Sequence, residues 1–198
     1  VLAPLWSGHY NPRMRNLPLL MLTVALSGCP KRDSNSPAPK ETFDWYVDAV
    51  NGSDAFAGTE AAPFKTITFA MTMAAAGQSV KVAPGTYDAA NGEVFPIALP
   101  AGVSLIGDEK NKGNGGVLTL ILGGGNNADA FGTAIDAGAG AGIAGFAIRN
   151  NNTGLATPMN LVLRNNAITV RNNRIYGSSN AGILVNNGSV NHVITGNL

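Results

Sequence analysis

The chain has 198 residues, 45% of them apolar and only 13% charged, with 25 glycines and a formal net charge of +1. That length suits one ordinary domain plus a leader and a linker, and the apolar share argues against wholesale disorder. So few charges exclude coiled coils and helical bundles and favour strands and turns, and the near-neutral balance gives no reason to expect nucleic acid. One cysteine excludes a disulfide framework and a cysteine-based zinc cage, and two histidines in distant segments speak against a His-rich metal site. Neither a metal nor a cofactor is expected.

Arg13 and Arg15 precede an apolar run from Leu17 to Leu26, followed by Ser27, Gly28 and Cys29. The run is too short to span a bilayer and suits the core of a secretory signal. Leu26-Ser27-Gly28-Cys29 resembles the lipobox of bacterial lipoproteins, which implies that Cys29 becomes a lipidated N-terminus after cleavage. Met14 is the expected start. Loss of residues 1–28 removes Arg13 and Arg15, taking the charge from +1 to −1, so acyl chains rather than basic residues would hold the protein to the membrane. Pro30, not Asp, follows the cysteine, which leaves the outer membrane or cell surface as the expected location. Residues 31–42 are polar, carry two prolines and read as a tether. The expected organisation is a signal region over 1–29, a flexible segment over 30–43 and a folded domain over 44–198.

Within that domain, Trp45-Tyr46-Val47 reads as a strand, and Asn51–Asp54 and Ala57–Thr59 read as turns. Ile67, Ala70, Met71 and Ala74 fall at helical spacing, which predicts a helix over 66–76 stopped by Gly77. Val80-Lys81-Val82 alternates as a strand, and Pro84-Gly85 turns the chain.

The string Tyr46-Val47-Asp48, Asn51-Gly52-Ser53-Asp54, Gly58-Thr59, Pro63-Phe64-Lys65-Thr66-Ile67, then Pro84-Gly85-Thr86-Tyr87, resembles the opening of pectin-lyase-like right-handed parallel β-helix proteins. It is especially similar to uncharacterised bacterial lipoproteins with such a domain. Gly102 to Glu109 fits the same family's first coils. The resemblance implies an all-β solenoid and a surface location, and it carries over no catalytic residue.

Repeats within the chain point the same way. Ala147–Asn151 aligns with Thr169–Asn173 at an offset of 22, as does Met159–Asn166 with Ala181–Gly188, and Val170–Asn173 aligns with Ile194–Asn197 at 24. Recurrence at one interval is the mark of successive solenoid turns. Alternation then puts Ile148, Val170 and Ile194 inside, with Asn151, Asn173 and Asn197 in one buried column whose amides pair along the stack. The 66–76 helix is expected to cap the first coil, and His192 to occupy the position that Ile168 holds one coil earlier. The text stops in mid-repeat at Asn197-Leu198, so the domain is expected to be truncated there.

Gly140-x-Gly142-x-x-Gly145 matches the dinucleotide fingerprint by letter. A strand rather than a helix is predicted after it, and no acid follows Asp136, so no nucleotide is expected. The same lack of carboxylates leaves the later coils without calcium ligands or an acid pair for glycoside chemistry. Asp108, Glu109, Asp129 and Asp136 have no spacing that sets them apart from solvated turn residues. On the 22-residue register, Arg149 and Arg171 stack with Arg164 beside them, a candidate face for an anionic polysaccharide. The expected function is polysaccharide or surface-partner binding without catalysis. The competing reading is a polysaccharide lyase or glycoside hydrolase whose active residues lie on coils beyond residue 198.

Overall fold

The computed structural model describes residues 40–198, so Cys29, the signal region and most of the tether lie outside the described residues. The chain runs through β1 (Trp45–Val47) and α1 (Ile67–Met73) before it settles into laps. The first lap comprises β2 (Ser79–Val82), β3 (Gly85–Asp88) and β4 (Ile97–Leu99). The second comprises β5 (Ser104–Ile106), β6 (Thr119–Leu122), a small hairpin of β7 (Gly125–Asn126) and β8 (Gly132–Thr133), and β9 (Ile135–Ala137). The third comprises β10 (Gly142–Ala144), β11 (Ala147–Arg149) and β12 (Met159–Leu163). β13 (Thr169–Arg171), β14 (Arg174–Ile175) and β15 (Ala181–Val185) make the fourth, and β16 (Val193–Thr195) follows.

These strands form three parallel sheets. The first has the order β1-β2-β5-β10-β13-β16, the second β3-β6-β11-β14 and the third β4-β9-β12-β15. From β2 onward the chain visits first, second and third sheet in the same cyclic order, and β7–β8 is the antiparallel exception. The core is three apolar columns, one per sheet. Val80, Leu105, Ile143 and Val170 stack in the first sheet, Tyr87, Ile121 and Ile148 in the second, and Ile97, Ile135 and Leu161 in the third, all fully buried. Short strands with alternate residues inward suffice, because the inward side chains of the three sheets join in one buried cluster.

Two expectations about these elements need correction. Ile148 and Val170 both point inward, but they are not neighbours: Ile148 pairs with Ile121 and Ile175 in the second sheet, and Val170 with Ile143 and Ile194 in the first. The 22-residue step holds between Met159 and Ala181, whereas Ser79, Ser104, Gly142, Thr169 and Val193 are separated by 25, 38, 27 and 24 residues. Both misaligned strings are a three-residue strand followed by an asparagine corner, and such corners join the first sheet to the second as well as the second to the third.

The helix is the other correction. It ends at Met73, because Ala74 is extended (ψ 134°) and the Gln78 side chain accepts from the Ala75 N–H. The small, exposed residues Ala75 and Ala76 bury nothing that would extend it.

Helix α1 packs against β1 and β4, both edge strands, and buries Ile67, Ala70 and Met71. Its N-terminal N–H groups are saturated by two acids. Asp54 accepts from the Lys65 and Thr66 N–H groups (2.9 Å each) and from the Thr66 hydroxyl (2.9 Å). The buried Glu93 accepts from Ile67 N (2.7 Å), Thr68 N (2.8 Å) and Thr68 Oγ1 (2.6 Å). Burial nonetheless pushes the Glu93 carboxyl above the usual glutamate range, against the pull of the Thr68 and Ile67 donors.

A pH prediction follows from that shift. A raised folded-state pKa means that the native chain holds the Glu93 proton more tightly than the unfolded chain does. The stabilising contribution is therefore complete below the ordinary glutamate pKa and is lost as pH rises through the elevated folded-state value. Urea midpoints of the wild type relative to Glu93→Gln, taken across that range, are expected to shift against the wild type with rising pH. The opposite slope would mean that the three donors outweigh burial.

Candidate functional site

The three arginines singled out by the sequence lie on three different sheets. Arg149 is in β11 of the second sheet, Arg164 follows β12 of the third, and Arg171 ends β13 of the first. The single anionic-ligand face expected from Arg149, Arg164 and Arg171 therefore does not form, because it rested on the misplaced register.

Two of the three are also already engaged. Arg164 grips Asp136 through two bonds, Nε to Oδ1 at 2.9 Å and Nη2 to Oδ2 at 2.7 Å, and its Nη1 lies 3.4 Å from Asp129. This pair ties the 127–131 turn to the third sheet. Arg171 meets Glu109 at 2.7 and 3.1 Å, and Asn172 donates to the same carboxylate at 2.9 Å. The Arg171 guanidinium holds Glu109 below the usual carboxylate range, and Asp136 holds the Arg164 guanidinium above its own. The Arg171 side chain is 41% exposed, so water screens this pair and it adds little to stability. Sequence reasoning missed both pairs. Their partners stand 28 and 62 residues apart in the chain, and only the correct lap order brings them together.

Arg149 is different. It is exposed, and its side chain has no carboxylate or hydrogen-bond partner among the described residues. Arg174, in the adjoining row of the second sheet, has its guanidinium 4.5 Å from the Tyr176 ring and donates to Asn114 at 3.1 Å.

Of the expected asparagine column, Asn173 and Asn197 stand one lap apart. Asn173 Oδ1 accepts from Phe146 N (3.0 Å), its Nδ2 donates to Ile143 O (3.0 Å), and Asn197 repeats the pattern on Asn173 N (2.9 Å) and Val170 O (2.9 Å). Asn151 stands outside this column, exposed in the loop over 150–158, and the residue one lap before Asn173 is the buried Phe146. A second pair of buried asparagines organises that loop. Asn150 N donates to Asn160 Oδ1, Asn150 Nδ2 donates to Met159 O (2.9 Å), and Asn160 Nδ2 donates to Tyr176 O (3.0 Å). In a run of three asparagines, the buried one is the first.

The loops joining the second sheet to the third carry two adjacent clefts. One, of about 320 Å³, is bounded by Arg149, Asn151, Asn152, Thr153, Leu155 and Ser179, and the other, of about 330 Å³, by Asp88, Phe95, Leu122, Gly124 and the same two asparagines. Asn152 Nδ2 donates to Gly124 O at 2.8 Å and braces the ridge between them. Two glycines are required here. A Cβ on Gly123 (φ 153°) would stand 2.4 Å from the Phe95 ring, and one on Gly124 would stand 2.3 Å from Asn150 Oδ1. A third cleft, of about 520 Å³, lies over the outer side of the first sheet, where Lys81, Lys110 and Lys112 mix with Asp108 and Glu109.

The glycine fingerprint has no phosphate-binding geometry. Gly142 begins β10, Gly145 (φ 82°) turns against the Glu109 backbone, and β11 follows at once. His192 stands one lap beyond Ile168, with both ring nitrogens buried and without a hydrogen-bond partner among the described residues.

No curated protein and no solved structure matches the chain. Residues 50–198 match the family model described as "Protein of unknown function (DUF1565)", and the chain belongs to that family.

Proposed function

We propose that this chain is an exported lipoprotein, anchored through Cys29, whose strands wind as a right-handed parallel β-helix of the pectin-lyase-like kind and whose loop-lined clefts bind polysaccharide without cleaving it. The observation that carries this reading is the cyclic passage through three parallel sheets. Stacked laps offer side chains at about 4.8 Å intervals along one direction, which suits an extended, repeating ligand. Helix α1, seated on edge strands β1 and β4, fits the cap that a solenoid needs. The apolar run from Leu17 to Leu26 ahead of Cys29 supports export and a lipid anchor.

Binding is favoured over acid–base chemistry by the state of four of the described carboxylates. Glu93 and Asp54 are saturated by donors at the helix start, and Asp136 and Glu109 are held by guanidinium groups. A carboxylate so engaged is a poor proton shuttle.

The test is a glycan array probed with the full chain, alongside assays for new reducing ends and for unsaturated products. Retention of a glycan class without cleavage is the expected result. Retention of none, or cleavage of any, would overturn the reading. For the anchor, mass spectrometry of the membrane fraction is expected to find acylated Cys29 as the first residue.

A further inference from the structure

On the outer side of the second sheet, one row of side chains runs across successive laps. Asp88 pairs with Leu122, Leu122 with Arg149, and Tyr176, the residue after β14, continues the row. Successive members stand about 4.8 Å apart, so Asp88 and Arg149 are separated by about 10 Å. The row thus reads acid, apolar, base, aromatic, and it passes along the two clefts just described.

Arg149 differs from the other arginines of this region in having no carboxylate or hydrogen-bond partner among the described residues, and the cleft beside it is built around that charge. Gly177 (φ 69°) would bring a Cβ within 3.0 Å of Arg149 Nε, so a glycine at this corner leaves the guanidinium room to lie across it. Asn151, Thr153 and Ser179 line the same cleft, and their side chains make no hydrogen bond within the described residues. The wall that carries Asn151 and Thr153 is fixed from behind by the buried Asn150 and Asn160. A cation flanked by unused amide and hydroxyl groups on a braced loop is a receptor for one anionic group and its neighbouring hydroxyls.

The adjoining cleft imposes the opposite preference. Its lining contains the Asp88 carboxylate, with Phe95 and Leu122 as apolar surface and no basic side chain. An anionic group there would meet a like charge, whereas an uncharged ring could lie on the apolar surface with its hydroxyls toward Asp88.

Resting on the polysaccharide reading above, we propose that the cleft beside Arg149 receives an isolated anionic group of a glycan, a carboxylate or a sulfate ester, while the cleft beside Asp88 receives an uncharged sugar of the same chain. The ligand is therefore a polymer in which charged and neutral sugars alternate, not one with a charge on every ring.

Calorimetric titration of the full chain tests this with four defined oligosaccharides. Hyaluronan fragments carry isolated carboxylates, keratan fragments sulfated on alternate sugars carry isolated sulfates, oligogalacturonate carries a carboxylate on every ring, and fully N-acetylated chito-oligosaccharide is neutral. One of the first two is expected to bind more tightly than either of the last two, and which one it is identifies the anionic group. Arg149→Gln is expected to lower that affinity about tenfold or more, with a weaker salt dependence, and Asn151→Ala to lower it by less. Arg174→Gln, outside the cleft, is expected to stay within about twofold. Equal binding by Arg149→Gln, or oligogalacturonate binding as tightly as the alternating glycans, would overturn the inference while leaving polysaccharide binding intact. If none of the four binds and the array retains no glycan, the polysaccharide reading itself falls, and this inference with it.

Discussion

Asn173→Leu is expected to destabilise the chain by about 3–5 kcal/mol, a large fraction of a typical domain's stability. The side chain is fully buried and serves several backbone groups at once. Leucine of similar volume would leave the Phe146 N–H and the Ile143 carbonyl without their asparagine partner, and would take the amide away from Asn197 Oδ1. Each buried polar group so orphaned costs about 1–3 kcal/mol. Asn151→Leu, in the exposed loop, is expected to stay within about 0.5 kcal/mol. Urea denaturation followed by circular dichroism checks both. Were the three asparagines one column, the two substitutions would cost similar amounts.

Gly124→Ala is the second large effect, at about 2–4 kcal/mol. The added Cβ would sit 2.3 Å from the Asn150 amide, which cannot move without giving up its bond to Met159 O and its hold on the Asn152 N–H. The Asn152 bond to Gly124 O would be displaced as well, so the 150–158 loop should detach while the sheets persist. Hydrogen exchange is the suitable readout, with the Asn150 and Asn152 amides losing protection and those of β10 keeping it. Gly116→Ala meets nothing within 4 Å and is expected to be neutral within about 0.5 kcal/mol.

The contrast between Asn150 and Asn151 shows how far the fold was legible in the sequence. Alternation identified the inward residues of strands with a neighbour on each side, because period two is a property of the strand itself, but Ile194, expected inside, is 45% exposed in the edge strand β16. Val80, Ile148 and Val170 are all fully buried. The steps from Met159 to Ala181 and from Val170 to Ile194 were also legible, since those laps differ little in length.

The third lap was not legible. Its β11–β12 loop runs over 150–158, and a three-residue strand carries too little pattern to say which sheet it joins. One misplaced strand then put Arg149 above Arg171, and the site was misread with it. The ion pairs were hidden for a related reason. Carboxylates lie only on the earlier laps and Arg164 and Arg171 on later ones, so composition along the chain suggested segregated charge where the fold brings opposite charges together. Arg149 was identified, but as one of three equivalents. What distinguishes it is the absence of a partner, and that depends on the lap order.

That lap order is the central claim, because it decides which of the described arginines lacks a partner. Disulfide trapping tests it directly in a Cys29→Ser background. Thr169 and Val193 are paired neighbours on adjacent strands of the first sheet, and their Cα separation of about 4.8 Å is within reach of a disulfide. Arg149 and Arg171 lie on different sheets. Thr169→Cys with Val193→Cys is therefore predicted to cross-link on mild oxidation, and Arg149→Cys with Arg171→Cys to remain reduced. Ready cross-linking of the 149/171 pair, with none at 169/193, would contradict the lap order and every assignment built on it.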